Sequence, residues 1–175
     1  MKKLLVVVDM QNDFVTGALA NENAQAIVAD MVSYLDEWKE DIVFTRDTHT
    51  DDYMNTLEGR KLPVKHCVKG TEGWEVIESL KPFAEAIVER GGQAYIDKPV
   101  FGATELGIFV KENGYEEVTL IGVCTGICVI NNAMIVRAMN PETNVKVVEH
   151  LCACITKETH DTAIAAMKTF QVDIV

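Results

Sequence analysis

The sequence predicts an α/β fold, a three-layer αβα sandwich on a mostly parallel central sheet, formed by residues 1-175 as a single domain. Two observations carry that prediction. Lys3 to Val8 is continuously apolar rather than alternating, which suits a strand covered on both faces. Short apolar runs recur down the chain with segments of helical spacing between them. Alternation of that kind implies right-handed crossovers and a parallel sheet.

Taken in order, Lys3 to Val8 is the first strand and Asp9 closes it. Ala24 to Trp38 sets Ala24, Ile27, Val28, Met31, Val32 and Leu35 at helical spacing, with Asp30, Asp36 and Glu37 on other faces, and reads as one crossover helix. Asp41 to Arg46 is a second strand, delivering Asp47 at its end. Asp47 to Gly73 is polar, glycine-dotted and aperiodic, longer than an ordinary connection, and that length points to function. Short helices follow around Trp74 to Leu80 and Pro82 to Glu89, then a strand from Ala94 to Asp97 that ends at Lys98. Thr104 to Asn113 reads as a helix capped by Gly114. Val118 to Val123 is a strand, succeeded by a helix from Thr125 or Gly126 to about Met139. Asn144 to Glu149 forms a strand, Lys157 to Phe170 an amphipathic helix and Val172 to Val175 a closing strand.

Bulk properties exclude some functions. A net charge of −11 leaves no clustered Lys and Arg to track a phosphate backbone, so no nucleic-acid partner is expected. The apolar start MKKLLVVV ends at Asp9, too short for a signal h-region or a membrane span, so neither export nor membrane association is expected. Five cysteines, an odd number, then read as free thiols in a reducing, cytoplasmic setting.

In open α/β sheets, ligands sit outside the carboxyl ends of the strands. Asp9, Asp47, Lys98 and the turn from Cys124 to Cys128 all fall at or just past such ends, so separate strands aim ionisable groups at one rim. Polar residues also begin wherever strands stop, which is a competing explanation for any one of them. Cys128 falls in the first turn of a helix, where free N–H groups and the helix dipole favour a thiolate, and a Lys98 ammonium would add to that. Cys124, still leaving the strand, is the better candidate for burial. A thiolate needs a proton-transfer partner, and Asp9 is the carboxylate a strand end places for it.

The segments DMQNDF (Asp9 to Phe14), DKPVFGA (Asp97 to Ala103) and GVCTGICV (Gly122 to Val129) together resemble the three signature segments of the isochorismatase-like cysteine hydrolases, in order through nearly the whole chain. The resemblance implies a catalytic triad of Cys128, Asp9 and Lys98, a cis peptide ahead of Cys124, and by family habit a homo-oligomer. Within that family, DFVTGALA (Asp13 to Ala20), RDTH (Arg46 to His49) and KHCVKGTEG (Lys65 to Gly73) are similar to nicotinamidases. What that implies is a divalent metal held by Asp47, His49 and His66, zinc first and Mn2+ or Fe2+ as alternatives. Residues two apart in an extended segment point the same way, so Asp47 and His49 can face one ion, although spacing alone favours a solvated loop with idle histidines.

The implied reaction is deamidation of a small amide, nicotinamide first, through a thioester. Asp9 takes the Cys128 proton, backbone N–H groups of Cys124 and Cys128 hold the oxyanion, and Lys98 stabilises the thiolate and orients the carboxylate. Phe14 and Phe101, with Cys124, are candidates for lining the substrate pocket, or for the core. Several positions depart from the family pattern: Gly126 replaces an aspartate, Asn131 and Asn132 replace Thr-Ala, LPVK before His66 lacks a tryptophan, and a fourth histidine is missing where Asp52 or Tyr53 stands. Cys67, Cys152 and Cys154 read as packing thiols, His150 and His160 as structural or exposed, and Glu85, Glu89 and Glu116 as a solvated face. Two alternatives stand: another small-amide or carbamoyl hydrolase of this family, and a non-catalytic metal or redox module using His49, His66 and the C-x3-C pair, whose spacing is typical of neither zinc nor thioredoxin-like sites.

Overall fold

A computed structural model describes residues 1–175. Six parallel strands form one sheet: β1 (Lys3–Val8), β2 (Asp41–Asp47), β3 (Tyr95–Lys98), β4 (Glu117–Val123), β5 (Asn144–Ala153) and β6 (Asp173–Ile174), in the order β3-β2-β1-β4-β5-β6. The helices are α1 (Asn12–Val15), α2 (Glu22–Ala26), α3 (Val28–Glu37), α4 (Leu57–Lys61), α5 (Lys81–Glu89), α6 (Thr104–Asn113), α7 (Ile130–Met139) and α8 (Lys157–Thr169).

The unbroken apolar run of β1 is explained by two cores. Leu4, Val6 and Val8 pack with Leu106 and Val110 of α6, Val136 of α7 and Met167 of α8. Leu5 and Val7 face the opposite layer with Met31 and Leu35 of α3 and Ala84 of α5. All five side chains are fully buried, and each stabilises the fold by about 1.5–3 kcal/mol relative to exposure. An Asp at Val6 would put an unpaired carboxylate between two layers and break the sandwich. Both helical layers and the parallel sheet agree with the sandwich that the sequence predicts. No helix is long and apolar enough to cross a membrane.

Three boundaries differ from expectation. The expected single helix over Ala24 to Trp38 is interrupted at Ile27, giving α2 and α3. The Asn21 side chain caps α2 by accepting from Asn23 N–H, and the short helix turns Asn23 toward the carbonyl of Cys154 (3.0 Å) and Gln25 toward that of Val15 (2.8 Å). β5 runs past Glu149 to Ala153: an advance of two residues from Leu120 to Gly122 on β4 is matched by five from Val147 to Cys152 on β5. That irregularity lets the polar pair Glu149-His150 sit exposed inside a strand. The long segment after β2 contains the helical turns Tyr53–Asn55 and Glu72–Trp74 as well as α4; a bridge from His49 to Val68 closes it on itself, and one from Gln11 to Val76 ties the chain just beyond it to the body.

The strand ends fix the site. Val8 pairs with Thr45 on one side and Gly122 on the other, and Asp47 pairs with Lys98, so Asp9, Asp47, Lys98 and the β4 turn meet at one rim. Gly122 has φ 122°, and a Cβ there would collide with the backbone carbonyl of Val8. The peptide from Val123 to Cys124 is cis.

Candidate active site

Asp9, Lys98 and Cys128 meet at the carboxyl edge. Lys98 Nζ lies 2.6 Å from Asp9 Oδ2 and 3.6 Å from Cys128 Sγ, and Lys98 and Asp9 are both fully buried. Thr45 Oγ1 donates to Asp9 Oδ1 at 2.7 Å, which fixes the carboxylate and leaves Oδ2 for Lys98. Asp9 itself adopts a left-handed φ of 51°, unusual outside glycine, as the chain leaves β1. Cys128 enters from a π-helical turn, Thr125–Val129, ahead of α7, and is 6% exposed. Thr125 in that turn bonds His160 Nδ1 through its hydroxyl at 2.8 Å, so His160 braces the nucleophile turn from α8.

A second cluster adjoins the first. Asp47, His49, Glu58 and His66 offer ligand atoms that all lie within 4.8 Å of one another. His66 Nδ1 sits 2.7 Å from the Val64 carbonyl, which sets the tautomer and directs Nε2 inward, 3.4 Å from Asp47 Oδ2 and 3.8 Å from Glu58 Oε1. His49 Nε2 lies 3.0 Å from Asp47 Oδ2 and 3.7 Å from Glu58 Oε1. Two buried imidazoles and two carboxylates converging on one point fit a divalent ion of the zinc type. Asp47 Oδ1, at 3.4 Å from Lys98 Nζ, links this cluster to the triad.

The DMQNDF segment connects both parts. Gln11 Nε2 donates to the carbonyls of Asp47 and Trp74, and Gln11 Oε1 accepts from Asp47 N–H at 2.7 Å. Asp13 Oδ2 accepts from Cys67 N–H at 2.7 Å, holding the residue next to His66, and the Phe14 ring lies 5.6 Å from the His66 ring. A cavity of about 730 Å³ opens over these groups, lined by Phe14, Phe101, Cys124, Cys128, Asp47 and His66 among others. The three side chains proposed for the pocket, Phe14, Phe101 and Cys124, therefore all face it.

Burial governs protonation at the site. Burial, then the negative charge of Asp9, pushes the Cys128 thiol up, and Lys98 only partly offsets them. Burial likewise raises the Asp9 carboxyl above its usual range, with Lys98 pulling it down and Asp47 pushing it up. Lys98 loses to burial but gains more from Asp9, Cys128 and Asp47, so it is held charged. Asp47 is opposed by burial, yet hydrogen bonds from His49 and His66 and the Lys98 charge keep it ionised. The resting site is thus a thiol beside a charged Lys98, because burial and the Asp9 charge outweigh the Lys98 ammonium at Cys128.

An Isochorismatase domain profile matches residues 3–175. The chain belongs to the isochorismatase family. It is 29% identical over 184 residues to the nicotinamidase/pyrazinamidase of Mycobacterium tuberculosis, covering 99% of this chain and 98% of that one. The crystal structure of nicotinamidase/pyrazinamidase from Bacillus subtilis superposes with a TM-score of 0.87 at 29% identity over 100% of both chains. Pyrazinamidase of Pyrococcus horikoshii in complex with zinc gives a TM-score of 0.79 at 27% identity, over 100% of this chain and 99% of that one.

The departures from the isochorismatase-family pattern have local explanations. The fourth group of the cluster is Glu58 of α4, not Asp52 or Tyr53. Asp52 is exposed and bonds Asn55, while Tyr53 packs its ring 4.7 and 5.0 Å from the two imidazoles and donates its hydroxyl to Leu62 O. Sequence reasoning missed Glu58; the available signal was Thr56, which caps α4 by accepting from Gly59 N–H and so sets Glu58 in a first helical turn. Asn132 is buried and useful: its Oδ1 accepts from Ala103 N–H at 2.9 Å and its Nδ2 donates to the Cys128 carbonyl at 2.8 Å, clamping the Phe101 loop to the nucleophile turn. Asn131 donates to the Ile127 carbonyl at 2.7 Å. A Cβ at Gly126 would stand 3.3 Å from Thr159 O, so α8 occupies the room a side chain would need. Where LPVK lacks a tryptophan, Leu62 lines the cavity.

Proposed function

We propose that this protein hydrolyses the amide of a small ring carboxamide, nicotinamide in the first instance, to the carboxylate and ammonia, with Cys128 as nucleophile. One observation carries the reading: Lys98 lies within 2.6 Å of Asp9 and 3.6 Å of Cys128, and Cys128 lines the same cavity as Asp47, Glu58 and His66 of the ligand cluster. Relatives named nicotinamidase and pyrazinamidase, spanning nearly the whole chain, support the substrate class. The zinc complex of a similar pyrazinamidase supports zinc as the ion.

In this reading Asp9 removes the Cys128 proton as sulfur attacks the carbonyl carbon, so a C–S bond forms without a standing thiolate. N–H groups of Cys124 and Cys128 receive the negative oxygen. Asp9 then gives its proton to the departing nitrogen, the C–N bond breaks and ammonia leaves a thioester. Water, deprotonated by Asp9, attacks the thioester; the C–O bond forms, the C–S bond breaks and the thiol recovers its proton. Lys98 keeps Asp9 aimed and balances its charge throughout. Phe14 and Phe101 bracket the ring and keep bulk water from the sulfur. Asp47, His49, Glu58 and His66 would hold a divalent ion, which would supply a Lewis-acidic centre at the wall of the cavity.

Ammonia release from nicotinamide by purified protein, with and without chelator, tests the proposal. Release that requires Cys128 and weakens on chelation is expected. No release from nicotinamide, with release from another small amide, would overturn the substrate while leaving the thiol chemistry in place.

A further inference from the structure

Cys154 has no part in the chemistry proposed above, yet its sulfur lies against the turn that carries the nucleophile. β4 and β5 place Gly122 opposite Cys152 and Val123 opposite Ala153, so the next residue on each chain is a cysteine, Cys124 and Cys154. Both are free thiols. Neighbouring strands run about 4.8 Å apart, inside the Cα separation of about 4.4–6.8 Å that a disulfide accepts. A Cβ at Gly126 would stand 3.5 Å from Cys154 Sγ, an ordinary contact distance, so the sulfur lies directly against the nucleophile turn.

The two sulfurs look into different spaces. Cys124 lines the active-site cavity together with Cys128. Cys154 lines a second, more open cavity of about 610 Å³ with Glu149, His150, Lys157 and His160. The pair therefore stands in the wall between the catalytic cavity and a surface cavity.

We propose that Cys124 and Cys154 are a modification site, a dithiol that a peroxide oxidises to a disulfide and thereby switches off the catalytic turn. The adjoining Cys124 thiol, more than any other group, holds the Cys154 sulfur well below the ordinary thiol range against the opposing effect of burial. Such a thiolate is the form that attacks an oxidant. Cys154 sulfur attacks the O–O bond, an S–O bond forms, and the departing hydroxide takes up a proton as water. Cys124 sulfur then attacks that sulfenic sulfur; the S–S bond forms, the S–O bond breaks, and hydroxide leaves as water with the Cys124 proton. The two sulfurs lose two electrons and the peroxide gains two. A small-molecule thiol reverses the bridge by exchange. The bridge ties residue 124 to β5, drawing its side chain from the cavity wall and shifting the Cys124 N–H proposed to hold the oxyanion. Only this last consequence rests on the proposed function; formation of the bond does not.

The test treats the full chain with hydrogen peroxide, traps remaining thiols by alkylation, maps the peptides and follows ammonia release. The expected result is a loss of about 2 Da, a peptide joining Cys124 to Cys154, and a rate at least about tenfold lower that dithiothreitol restores. Cys154→Ser is expected to keep the untreated rate and resist the early loss, and the same bridge is expected in Cys128→Ala. A Cys124–Cys128 bridge, oxidation confined to Cys128, or equal peroxide sensitivity in Cys154→Ser would overturn the proposal. If no ammonia is released even before treatment, the functional reading fails while the peptide map still decides the bridge.

Discussion

The triad and the metal-ligand cluster share a cavity, but they are held by different means. Asp9, Lys98 and Cys128 come from the ends of β1 and β3 and from the turn after β4, and strand pairing determines where they meet. His49, Glu58 and His66 come from one long segment with little regular structure, fastened by Gln11, Asp13 and a bridge from His49 to Val68. Asp47 belongs to both, as the last residue of β2 and a neighbour of Lys98. Reaction geometry built on sheet ends is determined by the whole fold, whereas a loop-built ion site depends on a few side-chain clamps and on the ion. The two regions should therefore fail differently.

Replacing Cys128 by Ala should have the largest effect, a fall of roughly 10,000-fold or more in ammonia release with ion affinity unchanged, since the nucleophile is removed and the loop is not. Ion titration by calorimetry alongside the rate checks the separation. Lys98→Met should abolish activity and also destabilise the fold by about 3–5 kcal/mol, because Asp9 and Asp47 would remain as buried carboxylates without their shared cation. Urea unfolding measures that cost. Glu58→Ala should weaken ion binding by about tenfold or more and lower the thermal midpoint only when ion is present, leaving peroxide or alkylation chemistry at Cys128 intact.

The pH dependence sharpens the same contrast. The Asp9 carboxyl is raised in the folded state, mainly by burial, and the base must be ionised to act. Activity should therefore be lost as pH falls through a value above the ordinary carboxylate range. A rate that keeps climbing far into the alkaline region would instead mean that the raised Cys128 thiol must ionise before substrate binds. The smallest expected effect is that of His160→Phe, which leaves the fully buried Thr125 hydroxyl without its partner at a cost of about 1–3 kcal/mol and a few-fold drop in kcat.

How much of this was legible in the sequence follows the same division. Apolar runs of the correct length announced β1, β2 and β4, and strand ends announced Asp9, Asp47 and Lys98, because a buried parallel strand writes its limits into composition. The break at Ile27 was not legible: apolar spacing continues through it, and its cause is a set of distant carbonyls, those of Val15 and Cys154, reached by Gln25 and Asn23. The end of β5 was hidden for the opposite reason, an exposed Glu149-His150 pair inside a strand. Asp47, His49 and His66 were found through family resemblance rather than spacing, and Glu58 was missed because a five-residue helix gives too short a period to show which way it faces. The upward push on the Cys128 thiol was not legible, because local turn geometry is visible in sequence while burial and the approach of Asp9 are tertiary.

The central claim is that Cys128 carries the acyl group. Rapid-quench mass spectrometry during turnover of nicotinamide should find an adduct of about 105 Da, the nicotinoyl thioester, on the peptide containing Cys128 and on no other. Undiminished ammonia release by Cys128→Ala, or an adduct on a different residue, would contradict the account.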